Sequence, residues 1–327
     1  MQLQLNSVGT PLFYGVFIVI VIVMIAIDML TLKKEGVHRV STKEALLWTT
    51  VWITVSLGFA AWLYFELAHN PAAGPAIAAD SVMDFLTGYV LEKSLSVDNI
   101  FVFILIFGYF KVPAEYQHRV LLYGVLGAIV LRAIMVALGA VLVSRFEWVL
   151  YLFGVFLLYS GIKLMLPEKT EDKGLADNPL IGWLHRHMRV SAQLNREKFF
   201  TVENGQRMAT PLLLTLIVIE LSDVVFAVDS IPAVFAVTTD PFIVFTSNIF
   251  AVLGLRAMYF LLANVVEKFI YLKYGLAVVL TFIGGKMLVA KWWHIPSFAS
   301  LTVVFSALMI AILASWWKTR QNNHQLK

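Results

Sequence analysis

Glu92 and Asp98 fall in one long apolar stretch of the chain, and Glu220, Asp223 and Asp229 in another. Five basic residues, Lys93, Arg132, Lys163, Arg256 and Lys286, are scattered over five such stretches. If these stretches cross a bilayer, each charge near a helix centre costs about 2.5–3.5 kcal/mol, so the set needs a chemical reason. Grouped carboxylate, amide and hydroxyl oxygens make a site for a hard cation, and Asn99, Ser96, Ser222 and Ser230 put further oxygens beside the acids. The competing explanation is mutual neutralisation, since buried ion pairs need have no function. Lys163 and Lys286 lie close enough to the ends of their stretches to reach the interface on long stems. That leaves Arg132, Arg256 and Lys93 as charge-balancing partners. About two negative charges then remain if every acid is ionised, a balance that a divalent cation or two protons would close.

Spacing constrains how the acids could meet. Glu220 and Asp223 are three apart and share a helix face. Glu92 and Asp98 are six apart, as are Asp223 and Asp229, which puts each pair on different faces and about 9 Å apart along a straight helix. Convergence on one ion therefore predicts local unwinding, and Pro232, just after Asp229, supplies the means in the second stretch. Asp28 and Asp84 sit near the ends of their stretches and are read as reaching water. The chain has no cysteine, and His38, His69, His118, His185, His187, His294 and His324 fall in loops, tails or interfaces. An oxygen-only inventory suits Mg²⁺, Ca²⁺ or Mn²⁺ and argues against Zn²⁺ or Cu⁺.

The elements that must carry these residues follow from composition. Of 327 residues, 60% are hydrophobic and 14% charged, and mean hydropathy is +0.80. Soluble domains carry about 25% charged residues, so a cytosolic enzyme with one large core is excluded. Runs long enough to span a hydrocarbon core of about 30 Å occur at roughly 11–30, 45–65, 82–110, 120–143, 147–166, 210–238, 242–264, 270–290 and 297–317. The expected fold is an all-α polytopic membrane protein of nine transmembrane helices, one transporter domain over 1–327 with a loop at 167–209 that carries surface amphipathic helix. Loop lysine and arginine concentrate after the first, third, fifth and seventh spans and in the tail, against Arg145 and Lys291 on the other side. The net charge of +4 is therefore membrane orientation and not a nucleic-acid footprint, with the N-terminus outside and the C-terminus cytoplasmic. Trp148, Trp292, Trp293, Trp316 and Trp317 near span ends fit interfacial belts.

The chain also repeats itself. YGVLGAIVLRA (123–133) matches NIFAVLGLRA (248–257), aligning Arg132 with Arg256. YSGIKLML (159–166) matches FIGGKMLV (282–289), aligning Lys163 with Lys286, and EKSLSVDNIFV (92–102) matches DVVFAVDSIPA (223–233), aligning Glu92 with Asp223, Asp98 with Asp229 and Asn99 with Ser230. The units are spans three to five (about 82–166) and six to eight (about 210–290), with 11–30, 45–65 and 297–317 peripheral. Three spans is an odd number, so the two units run oppositely through the bilayer, the arrangement of secondary transporters with midplane sites.

EKSLSVDNIFVF (92–103), YGVLGAIVLR (123–132), ELSDVVFAVDSIPAVFAVTTDPFIV (220–244) and GLRAMYFLL (254–262) resemble, in order and over nearly the whole chain, the TerC family of membrane proteins. The resemblance implies a manganese exporter of the LysE-like superfamily in a bacterial inner membrane. Its ion-serving acids, carried over by motif position, are Glu92, Asp98, Glu220, Asp223 and Asp229. The expectation is a secondary transporter that moves Mn²⁺ out of the cytoplasm in exchange for protons, seated in the lipid bilayer, with no nucleic-acid partner and no prosthetic group and with its oligomeric state and any membrane partner left open. Antiport of another divalent cation such as Ca²⁺, a scaffold that hands metal to partner proteins, and a membrane-embedded metal-dependent enzyme or aspartyl protease are the rivals. The last lacks any HExxH or GxGD sequence.

Overall fold

The structure, a computed structural model, describes residues 7–35, 40–71, 73–146, 148–166, 190–191, 197–203, 205–263, 271–289, 292 and 295–325. The helices are α1 (Pro11–Glu35), α2 (Thr42–His69), α3 (Gly74–Tyr109), α4 (Ala114–Arg145), α5 (Trp148–Met165), α6 (Pro211–Val237), α7 (Pro241–Leu253), α8 (Leu255–Leu262), α9 (Leu272–Val289) and α10 (Ser297–Gln325). Before α6, strands β1 (Phe200–Glu203) and β2 (Gln206–Ala209) form an antiparallel hairpin that turns at Gly205, whose φ of +74° suits glycine. The amphipathic helix expected within 167–209 falls largely on residues outside the described set. The described end of that segment is this hairpin, too short for composition to reveal.

Every apolar run read from the sequence coincides with a helix, or with the α7–α8 pair. Seven helices (α1, α2, α4, α5, α6, α9 and α10) are long and apolar enough to cross a membrane, and the α7–α8 pair, bent by 43° at Gly254, raises the number to eight. α3 has ample length at 36 residues, but Asp80, Asp84, Glu92, Lys93 and Asp98 lower its apolar character. The chain is thus an all-α polytopic membrane protein. Its outer faces carry Ile18, Val19, Ile22, Val23, Val130, Leu138 and Val141 in the open, as a lipid-facing surface does. Trp148, Trp292, Trp316 and Trp317 are all more than half exposed, in keeping with interfacial belts.

Local sequence explains the helix ends. Ser41 and Glu44 form a reciprocal capping box on α2, with Glu44 N donating to Ser41 Oγ at 3.2 Å and Ser41 N to Glu44 Oε2 at 3.3 Å. Asp240 caps α7 by accepting from Phe242 N at 2.8 Å, and it also holds the N-terminal segment through Ser7 Oγ at 2.8 Å and Val8 N at 2.6 Å.

α3 is the central helix, packed against α2, α6, α7 and α10. α5 and α9 meet backbone to backbone. A Cβ added at Gly161 would lie 2.9 Å from Ala277 O and 2.8 Å from Thr281 N; one added at Gly284 would lie 2.7 Å from Gly154 O and 2.7 Å from Leu158 N. The offset that aligns Lys163 with Lys286 also aligns Gly161 with Gly284, Gly154 with Ala277 and Leu158 with Thr281. Each contact therefore recurs with the two helices exchanging roles, as a local two-fold relation between antiparallel helices requires.

Candidate ion site

Arg132 of α4 is fully buried, and its guanidinium joins the two halves of the chain. Nε and Nη2 donate to the two oxygens of Asp223 on α6, at 3.0 and 2.8 Å, in the forked geometry that only arginine offers. Nη1 donates to Glu92 Oε1 on α3 and to Asn248 Oδ1 on α7 at 3.2 Å. Asn248 Nδ2 in turn donates to Glu92 Oε2 at 3.1 Å, and Asn99 Nδ2 reaches Asp223 Oδ1 at 3.4 Å. Glu92, Asn99, Asp223 and Asn248 are all buried. The acids that the repeat aligns, Glu92 and Asp223, thus converge through a shared cation.

Glu220 lies beside this network. Its carboxylate rests on Gly127 of α4, where any Cβ would collide with it, and Oε2 has no hydrogen-bond partner among the described residues. Ser230 and Ser96 are buried with Oγ atoms that also lack partners there. Ser222 is turned back onto its own helix, donating to Val218 O at 2.7 Å, so it offers less to an ion than its sequence position promised. The side chains of Asp98 and Asp229 lie outside the described set; their backbones are helical in α3 and α6. Among the described residues no three acids or histidines are grouped to hold a metal, because Arg132 occupies the space between Glu92 and Asp223.

Three sequence readings need correction. Asp28 does not reach water: it is buried and accepts from Arg256 Nη2 at 2.5 Å, so Arg256 serves α1 and not the acids of α3 and α6. α6 does not break at Pro232 but continues as helix to Val237, its neighbours holding the segment across the lost donor. The discontinuity lies at Gly254, between α7 and α8. There Lys93 Nζ donates to Ala251 O at 2.8 Å and fills the space that a side chain at position 254 would need. A cation at the carbonyl end of α7 satisfies both the loosened backbone and the helix dipole. Lys93 is thus a backbone partner as well as a charge. Sequence reasoning also missed Asn248, whose signal was a lone amide in an apolar run.

A cavity of about 430 Å³ leads to the network. Glu92, Asn99 and Ser230 line its inner end, and Tyr159, Ser160, Lys163 and Leu166 at the end of α5, with Lys273 at the start of α9, line its mouth. Beyond the acids the helices close. A Cβ at Gly88, one turn before Glu92, would lie 2.8 Å from Ser247 Oγ and 3.2 Å from Val234 Cγ1. The cavity reaches the acids from the end of the bundle where α5 ends and α9 begins, and on the other side of them α3, α6 and α7 approach closely at Gly88. His118, expected near the surface, is buried in the second turn of α4 against Phe260 and plays no part in the cavity.

Residues 77–323 match the family model described as "Integral membrane protein TerC family". The chain is 53% identical over 321 residues to the Escherichia coli K12 protein named "Putative membrane-bound redox modulator Alx", covering 98% of this chain and 99% of that one. It is 47% identical over 314 residues to an uncharacterized membrane protein of Myxococcus xanthus, with 96% and 95% of the two chains covered, and 40% identical over 301 residues to one of Rickettsia bellii, with 92% and 95% covered. No solved structure matches. A match over three quarters of the chain, along the helices that hold Glu92, Arg132, Glu220 and Asp223, makes this protein a member of the TerC family of integral membrane proteins.

Proposed function

We propose that the protein is a secondary transporter that exports Mn²⁺ from the cytoplasm in exchange for protons, through the carboxylates of α3 and α6. The observation that carries this reading is the 430 Å³ cavity that ends on Glu92, Asn99 and Ser230. A path from one end of a membrane bundle to buried acids, closed beyond them, is one state of an alternating-access cycle. In this reading α3 is a ninth span, spans three to five and six to eight are inverted repeats, and the N-terminus lies outside a bacterial inner membrane with the C-terminus in the cytoplasm. The exchange of roles between α5 and α9 supports the repeat, and the basic loops support the orientation.

Charge supports a cation as cargo. With Arg256 engaged by Asp28, Arg132 and Lys93 stand against Glu92, Asp98, Glu220, Asp223 and Asp229. Three negative charges remain if all five acids are ionised, a balance closed by one divalent ion and one proton. Asp98 and Asp229 are proposed ligands, each adjacent in sequence to a residue that lines the cavity, Asn99 and Ser230. Arg132 keeps Glu92 and Asp223 neutralised between ions, and Glu220 carries a proton or completes the shell. Competition of proton and metal for the same oxygens is the chemical basis of antiport. The relatives' name invokes redox, but a chain without cysteine has no thiol chemistry of its own to offer.

The test is flux in liposomes containing the purified protein, with Mn²⁺, Ca²⁺, Mg²⁺ and Zn²⁺, with and without a pH gradient. Mn²⁺ movement accelerated by the gradient and lost in Asp98→Asn and Asp229→Asn is the expected result. Metal binding without movement would favour the scaffold, and faster Ca²⁺ flux would change the cargo.

A further inference from the structure

Lys163 and Lys286 are equivalent in the repeat, yet their surroundings differ. Lys163 is exposed at the cavity mouth. Lys286, on α9, is half-buried and donates to Ser300 Oγ of α10 at 2.8 Å; that serine is itself buried. Asp84 of α3 interacts electrostatically with the same ammonium. The hydrogen bond joins α9 to α10, and the charge of Asp84 on α3 faces the same cation, at the bundle end opposite the cavity mouth and outward of the close approach at Gly88, Val234 and Ser247. A two-fold relation between α5 and α9 makes the two lysines the same device at opposite ends, one released and one engaged.

We propose that the Lys286–Ser300 contact, facing the charge of Asp84, is the outer gate of the transport path, closed while the cytoplasmic cavity is open. This rests on the transport reading and its orientation. The ammonium of α9 donates to the hydroxyl of α10, a helix packed against α3, and the charge of Asp84 on α3 favours the same position; letting go of it frees α3 to part from them. The cost of release falls on one hydrogen bond and one charge contact, which suits a switch more than a permanent seal. Among the described residues Lys163 has no such contact, in keeping with an open inner path.

The absence of cysteine gives a clean background for single-cysteine reporters. Ser81→Cys sits one turn outward of Asp84 on the same face of α3, and Ser160→Cys lines the cavity. A membrane-impermeant maleimide is applied to intact cells for the outer face and to everted vesicles for the inner. The expected result is slow outer labelling of Ser81→Cys that rises about tenfold when Lys286→Gln is added, while inner labelling of Ser160→Cys falls. Ser300→Ala gives a smaller change in the same direction and decides the matter alone if Lys286→Gln does not fold. Unchanged outer labelling in both variants, with Ser160→Cys still labelled from within, overturns the gate. No metal is needed for this readout, so it stands apart from the flux assay. Ser160→Cys labelled only from outside would overturn the orientation instead.

Discussion

Glu92 and Asp223, which the internal sequence match aligns, share a single guanidinium: Arg132 grips Asp223 with two hydrogen bonds and reaches Glu92 with a third. Truncating one partner of a buried ion pair leaves uncompensated charge at a cost of about 3–5 kcal/mol. Arg132→Met therefore lowers thermal stability in detergent sharply, whereas Arg132→Lys keeps the charge, loses the fork and falls between. Equal unfolding midpoints for Arg132→Lys and the parent would show that the fork contributes nothing.

The pair between Asp28 and Arg256 makes the opposite point about replacement. Asp28→Asn weakens the tie between α1 and α8 and destabilises the protein by several kcal/mol, on the order of a broken buried pair. Removing both charges, as Asp28→Leu with Arg256→Met, recovers most of the loss, because apolar side chains need no counter-charge. Thermal unfolding of the two single variants and the double variant measures the coupling.

Gly127 makes room for Glu220. Gly127→Ala forces the carboxylate from its place and costs about 1–3 kcal/mol by overpacking. The double variant Gly127→Ala with Glu220→Ala regains stability, and Gly127→Ala with Glu220→Gln, which keeps the bulk, does not. Recovery in both would place the strain elsewhere.

Lys163 and Lys273 set a positive field at the mouth of a path proposed to admit cations. Lys163→Gln and Lys273→Gln each lower KM for Mn²⁺ by about two- to tenfold at low salt, with kcat little changed. The effect shrinks as ionic strength rises, since exposed charges are screened. Initial rates of flux at two salt concentrations provide the check.

Helix positions were legible in the sequence because hydropathy over twenty residues reports them directly, and Arg132, Glu92 and Asp223 stood out because charge in an apolar run is costly. Which charges meet was not legible. Asp28 was read as a surface acid by its distance from the end of a run, yet burial depends on how α1 packs, which no periodicity reveals. Pro232 pointed to a break where the chain has none, because neighbours decide whether a helix survives the loss of one donor. Gly254, a plain glycine among apolar residues, carries the real discontinuity, and its partner Lys93 is far away in sequence. Asn248 lacked a charged neighbour to mark it.

At the glycine crossing of α5 and α9 the two main chains come close enough that little side-chain bulk lies between them. Side chains can slide or change rotamer at a seam, but closely approached peptide groups such as those at Gly161 and Gly284 have far less freedom to do so. In the transport reading these helices move together, and rocking of the bundle takes place around them, at the larger-residue interfaces of α3 and α6. Bulk added at Gly154, Gly161 or Gly284 would pry the pair apart and disturb both halves of the molecule at once.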